Sequence, residues 1–383
     1  MKVLVHIGQS KTGTSAIQAF LTLNRDLLSS HGVLYPAIKI NNMALNLGAH
    51  NAVADALLGH VRFPYFSADE YFRQFFDDAE KEKSDLLILS AEHFFGGEPR
   101  VWDVGNEDEY FKLYRNKIEN LAKYLKGHEV GVLVYLRPQV DWVESAISQT
   151  VRIERLISEY KIYKNDRDFF TLMKPLLKYA DILDVWKEVI CPSHFSVIPY
   201  DRKTLCKGSS IADFLKRANL EHIIFDYGDS NIQVNVSLNR EFIEVKKMLN
   251  STLRSKNEER IIIRCLENLS RDNPSSSKYT IDPDVKYDIV DFVKEQNERI
   301  NSLYIQEGLM PLKSSSNNVF EVKPSEFEID RAYVAYKSEF KHFKYIFIGW
   351  RFLVLSFLRA HAKPIHAALH QIKVMYWSWK YKC

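Results

Sequence analysis

A chain of 383 residues with 46% hydrophobic and 26% charged side chains has ample core-forming residues, and its length suits one large domain or one domain with an appendage. Its four cysteines, Cys191, Cys206, Cys265 and Cys383, are scattered with no CxxC pair, which argues against a disulfide framework or zinc site and fits a reducing compartment. The formal net charge of +3 hides an asymmetry: from Lys341 to the end there are six Lys, two Arg and no Asp or Glu, so this stretch carries +8 and the rest about −5.

Lys2 to Ile7 is apolar and β-branched and reads as a short buried strand. Because this strand opens at the second residue, no signal peptide or N-terminal anchor is expected. Gly8 to Gly13 is a tight polar loop, and from Thr14 the pattern turns helical, with Ile17, Phe20 and Leu21 on one face and Thr14 or Ser15 able to cap the start. A strand, a Gly/Lys/Thr loop and a helix N-terminus make an anion site. Backbone N–H groups and the helix dipole converge there, Lys11 adds a full charge, and Thr12, Thr14 and Ser15 add hydroxyl donors. The order is not that of the usual phosphate loop, GxxxxGK[ST], because Lys11 precedes Gly13.

Gly32 to Pro36 is a second extended segment, His50-Asn51 leads a helical run through Leu58, and helix-like sequence returns from Ala68 to Lys83. Asp85 to Ser90 is a continuous apolar strand that runs out into Ala91-Glu92-His93. A helix over Glu107 to Lys126 feeds another apolar strand, Val130 to Leu136, which ends on Arg137-Pro138 before a helix over Asp141 to Arg155. Continuous apolar strands alternating with amphipathic helices predict an α/β fold with a three-layer parallel sheet covered on both faces. Ligands of such sheets sit beyond the carboxyl ends of the strands, where the sequence puts Gln9-Ser10-Lys11, Glu92-His93 and Arg137.

The string Lys11-Thr12-Gly13-Thr14-Ser15 after the first strand resembles the 5′-phosphosulfate loop, K-[ST]-G-T-[ST], of sulfotransferases that use 3′-phosphoadenosine 5′-phosphosulfate (PAPS). A second motif of that family, an Arg at a strand end and a Ser eight residues on, is matched by Arg137 and Ser145. The resemblance covers about residues 1 to 250. It implies a P-loop-like fold, PAPS as donor, 3′,5′-ADP as product and no metal. Ser10, Lys11, Thr12, Gly13, Thr14 and Ser15 then hold the 5′-phosphosulfate, and Arg137 with Ser145 holds the 3′-phosphate. Lys11 is expected to act in catalysis, with Glu92 favoured as base, His93 as its orienting partner and His50 as a third candidate. Asn235 to Glu241 resembles an Asn-x-Ser-Leu segment of bacterial members, whereas the KGxxG-type element of animal cytosolic members is absent. The acceptor implied is a carbohydrate or glycolipid. A P-loop kinase using ATP and a non-catalytic nucleotide-binding scaffold are the alternative readings.

Asp184 to Val189 and Ile211 to Leu220 read as helices, His194 to Tyr200 as a further strand, and residues 251 to 312 as helices broken at Asp272 to Ser277. Lys313 to Asn318 reads as a linker, dividing a domain over 1–312 from a C-terminal extension over 313–383. The basic, Trp-rich stretch over 341–383 suits the interface of an anionic membrane, with packing on the core as the alternative; no nucleic-acid partner is expected. The location expected is cytoplasmic, peripheral at the inner face of the membrane.

Overall fold

The computed structural model describes all residues except 42, 46–47, 63–64, 158–162, 224–237, 251–255, 274–277, 307–308, 316–323 and 342–383. The chain divides by compactness into two units, each built from separate stretches of sequence. One comprises Met1–Thr150, Tyr160–Val236 and Tyr279–Lys323; the other comprises Val151–Glu159, Ser237–Lys278 and Pro324–Cys383.

The first unit holds the sheet. Strand β1 (Lys2–Ile7) leads to helices α1 (Thr14–Leu23) and α2 (Arg25–Ser30), then β2 (Val33–Leu34) and a small hairpin of β3 (Lys39–Ile40) and β4 (Met43–Ala44). Helices α3 (Asn51–Ala56) and α4 (Ala68–Glu82) precede β5 (Leu86–Ala91), and α5 (Glu107–Leu125) precedes β6 (Glu129–Leu136). Helices α6 (Gln139–Ile157), α7 (Asp166–Leu177) and α8 (Tyr179–Ile190) follow, then β7 (His194–Pro199) and α9 (Ser210–Arg217). The five long-range strands pair in parallel in the order β2-β5-β1-β6-β7. The α/β expectation with a parallel sheet flanked by helices therefore holds. The chain leaves β1 toward β5 and β2 and returns across it to β6 and β7, so the order reverses around β1.

One face of the sheet buries Ile88, Leu133, Tyr135 and Ile198 against Ile17, Phe20 and Leu21 of α1 and Phe214 and Leu215 of α9. That continuous apolar packing is what the β-branched strands encode. Local signals set the helix starts: Ser67 and Glu70 form a capping box at α4, and Asn106 caps α5 through its side chain. The sequence reading missed α7 altogether and found only the second half of α8. Asn165 caps α7, whose side-chain oxygen accepts from the Asp168 N–H, and Pro175 closes it one turn before α8 begins.

Helices α12 (Pro283–Phe292) and α13 (Lys294–Leu303) also belong to the first unit, and α10 (Arg240–Asn250) and α11 (Lys256–Asp272) to the second. Of the predicted linker, Ser314 and Ser315 are anchored: the Ser314 carbonyl accepts from the Val140 N–H at 3.0 Å, and the Ser315 hydroxyl donates to Asp141 at 3.3 Å. The second unit encloses a buried pair in which the Lys246 ammonium meets Glu259 at 2.9 Å, beside Asn250 and the Val151 carbonyl. A helix over 326–341 follows in that unit. The expected membrane-facing segment beyond residue 341, and residues 235 to 237 of the Asn-x-Ser-Leu match, lie outside the described residues. Among the described residues no helix is long and apolar enough to cross a membrane.

Candidate functional site

The loop after β1 is held from inside. Gly8 continues the ladder, its N–H donating to the Ala91 carbonyl at 3.0 Å. Thr12 and Thr14 are buried, and both hydroxyls donate to the Gln9 carbonyl, at 2.7 and 3.1 Å. They staple the loop, which leaves Ser15, exposed on the first turn, as the hydroxyl open to solvent. The helix start also differs from the expectation. Gly13, which has no side chain to offer, occupies the cap position of α1 in the left-handed region (φ 82°), and Thr14 is already the first helical residue. A Cβ on Gly13 would stand 2.5 Å from Ser210 Oγ and 2.8 Å from Ser210 Cβ, so only glycine fits. Lys11 also has a positive φ, 71°, a conformation that a non-glycine residue holds at some cost.

The two sequence motifs meet. Gln9 turns its side-chain carbonyl to the Arg137 N–H at 2.6 Å, and the Arg137 guanidinium donates to the Lys11 carbonyl at 3.3 Å. Trp142, one turn into α6, donates its indole N–H to Ser10 Oγ at 3.2 Å. Tyr179 closes the other side, its hydroxyl donating to the Arg137 carbonyl at 3.1 Å. The parallel register explains the meeting. Ile7 lies opposite Val134, so β6 carries Arg137 up to the level of Ser10. Ser145 sits half-buried two turns along α6 from that point.

Beyond β5 a single 3₁₀ turn, Glu92–Phe94, carries the other candidates. Burial raises the Glu92 pKa, against the Lys11 and His93 charges, which pull it down. His93 donates through Nδ1 to Asp55 Oδ1 at 2.8 Å, and its backbone N–H donates to Asn51 Oδ1 at 3.2 Å. Asp55 is buried. Burial pushes its carboxyl up, but the His93 hydrogen bond and charge, with Arg62 and Lys117, prevail and hold it below the ordinary value. An ionised Asp55 can only accept, so Nδ1 keeps its proton and Nε2, without a partner among the described residues, is the basic nitrogen.

Two residues of this half carried no motif. Asp55 lies on α3, 38 residues before His93. Lys117 of α5 is fully buried beneath the turn, and its ammonium donates to the carbonyls of His93, Gly96 and Glu98 at 2.8, 3.1 and 2.8 Å. Burial lowers its pKa to about 7, against Asp55 and Glu98, which raise it. A signal for it existed: Tyr110, Tyr114, Lys117, Leu121 and Leu125 fall on one helical stripe, and a lysine on that stripe has to find partners inside.

His50 is not poised as a base. The Ser90 N–H donates to its Nδ1 at 3.0 Å, so Nε2 carries the proton and donates to the Pro36 carbonyl at 3.0 Å. With both nitrogens occupied and burial lowering the pKa to about 4, the ring is a fixed neutral strut.

The fold and site thus define a parallel-sheet α/β protein whose charged and polar groups gather beyond the carboxyl ends of β1, β5 and β6. No protein-family model matches the chain, and no solved structure matches it. An uncharacterized protein of Archaeoglobus fulgidus is 24% identical over 233 residues, a match that spans 60% of this chain and 58% of that protein.

Proposed function

We propose that the protein is a PAPS-dependent sulfotransferase acting on a hydroxyl or amine of a carbohydrate or glycolipid acceptor. The observation that carries the reading is the bonding of Arg137 to the Lys11 loop, through Gln9 and through the Lys11 carbonyl. This unites an ammonium, a guanidinium and a helix N-terminus at one end of the sheet. The loop after the central strand and the order β2-β5-β1-β6-β7 suit the P-loop-like fold of that family. The donor set also fits PAPS, whose negative charge is divided between two separated groups. Lys11, Ser15 and the first N–H groups of α1 suit the phosphosulfate, and Arg137 with Ser145 suits the 3′-phosphate.

PAPS, when bound, supplies the activated sulfuryl group, and the chain's own residues do the rest. Lys11 and the α1 dipole balance negative charge at the loop. His93, its Nδ1–H fixed on Asp55, offers Nε2 to the proton of the acceptor hydroxyl. Glu92, favoured as base from the sequence, instead balances Lys11, whose charge it feels.

Calorimetric titration with 3′,5′-ADP against ATP, on wild type and Arg137→Ala, tests the reading. The expected result is preferential binding of 3′,5′-ADP, weakened roughly a hundredfold in the mutant as a bidentate phosphate contact is lost. Equal or better binding of ATP, indifferent to Arg137, overturns it in favour of a kinase.

A further inference from the structure

Behind the His93 dyad runs a chain of alternating charge that the catalytic reading does not use. Asp55 presents Oδ1 to His93 and Oδ2 to Arg62 Nε, at 2.8 and 3.4 Å. Arg62 reaches Glu98 through Nη2, and the same Glu98 oxygen meets Arg100 Nε at 3.4 Å. The two carboxylates are hidden, at 1% and 3% exposure, whereas the Arg62 and Arg100 side chains are 46% and 40% exposed. Solvent therefore meets two guanidinium groups: Arg62 is pinned from behind by the two hidden acids, and Arg100 by Glu98 and, at 2.5 Å from its Nε, by Asp103, a carboxylate that is itself 36% exposed. Among the described residues Arg62 Nη1 and both Nη groups of Arg100 have no partner. Trp102, a large aromatic side chain 36% exposed, lies beside them with the Arg100 guanidinium 5.8 Å from its ring centre.

We propose that Arg62, Arg100 and Trp102 form the acceptor subsite next to His93 and take an acidic sugar residue, one that bears a carboxylate or sulfate. This rests on the transferase reading for its role but not for its binding chemistry. A guanidinium whose side chain is already fixed loses little freedom when it forks onto a planar carboxylate or a sulfate. An exposed indole face beside it accepts the apolar face of a sugar ring, as aromatic platforms do for flat or cyclic ligands. Arg62 shares the Asp55 carboxylate with His93, so an acid held by Arg62 sits beside the His93 ring. The anchoring is also rigid, because Glu98 belongs to the turn that Lys117 holds by three carbonyls. An acidic peptide could satisfy the arginines but has no ring to lay on Trp102.

The test is calorimetric titration of the full chain, without donor, with tetragalacturonate, maltotetraose and tetraglutamate. Wild type is compared with Arg100→Gln and Trp102→Ala, both checked for folding by circular dichroism. Arg62 is left intact because it neutralises two buried carboxylates. Tetragalacturonate is expected to bind at least about tenfold tighter than maltotetraose, the gain typical of one charge-assisted contact. Arg100→Gln should erase that preference, and Trp102→Ala should weaken both sugars roughly fivefold, as loss of a ring platform does. Equal affinity for the two sugars, a preference that survives Arg100→Gln, tetraglutamate binding as tightly as the acidic sugar, or no binding of any of the three overturns the proposal. If 3′,5′-ADP fails to bind while the acidic-sugar preference stands, the transferase reading falls and the subsite does not. The opposite pattern removes the subsite alone.

Discussion

The two halves of the site are built in opposite ways. On the β1 and β6 side, consecutive residues form a loop whose inner hydroxyls are spent on Gln9, whereas Ser15, on the first turn of α1, faces solvent. On the β5 side, nothing consecutive makes the site. Asp55 from α3 and Lys117 from α5 converge on a turn from β5, and there the interior polar groups satisfy one another. The first half presents a short run of consecutive polar residues at the surface, and the second is a scaffold that fixes one ring. On the proposed function, binding falls to the first half and orientation to the second, and substitutions in the two halves should separate them in measurement.

The largest effect should come from Asp55→Asn. Asparagine can donate as well as accept, so it no longer dictates which nitrogen of His93 carries the proton. Turnover with PAPS should fall roughly ten-thousandfold, in line with the loss when a triad aspartate becomes asparagine. Affinity for 3′,5′-ADP, measured by calorimetry, should stay within about threefold because Asp55 pairs with His93 and Arg62, on the β5 side of the site. A fall in nucleotide affinity as large as the fall in turnover would erase the division between the halves.

Lys117→Met comes next and acts on stability. It strips three buried carbonyls of their donor, and at about 1–3 kcal/mol for each unsatisfied group, partly offset by removing a buried charge, the net loss should be about 3 kcal/mol in urea unfolding. The variant also isolates a pH dependence. Burial lowers Lys117 from its ordinary 10.5 to about 7, so above pH 7 the unfolded chain binds this proton and the native chain does not. Stability then rises with pH, by about 2 kcal/mol between pH 7 and 9 for one such group. That increment should be missing in Lys117→Met. If both proteins show the same slope, Lys117 keeps its proton throughout and the carbonyl cage outweighs burial.

What could be read from the sequence follows the same division. The Lys11 loop was legible because its chemistry is consecutive, and Arg137 because the strand before it is continuously apolar and ends where a ligand belongs. Arg137 and Lys11 could not be joined by spacing, since they are 126 residues apart and meet only through the parallel register of β1 and β6. Glu92 and His93 were found together, but their roles turned on a carboxylate 38 residues upstream of His93, in a short helix with no motif. Thr12 and Thr14 show the opposite case. Their residue types suit a phosphate, and only the fold reveals that both are buried with their hydroxyls donating to the Gln9 carbonyl. Sequence therefore reported which groups are present, while the fold decided which of them are already committed.

Trp142→Phe gives the smallest effect and the finest test. Its ring is nearly buried, so phenylalanine keeps most of the packing and removes one hydrogen bond, the 3.2 Å contact from the indole N–H to Ser10 Oγ. A single neutral hydrogen bond is worth about 0.5–1.5 kcal/mol, so 3′,5′-ADP should bind roughly threefold to tenfold more weakly. The mechanism is positional: Trp142 lies on α6 with Ser145, and Ser10 lies in the loop with Lys11, so the bond keeps the two groups proposed to bind phosphate at a fixed separation. Adenosine 5′-phosphosulfate, which has no 3′-phosphate, uses only the loop and should lose almost nothing. If both nucleotides weaken equally, the bond serves the loop alone and α6 is merely its neighbour. If neither weakens, the open half is held by the Arg137 contacts and the division between the halves becomes sharper still.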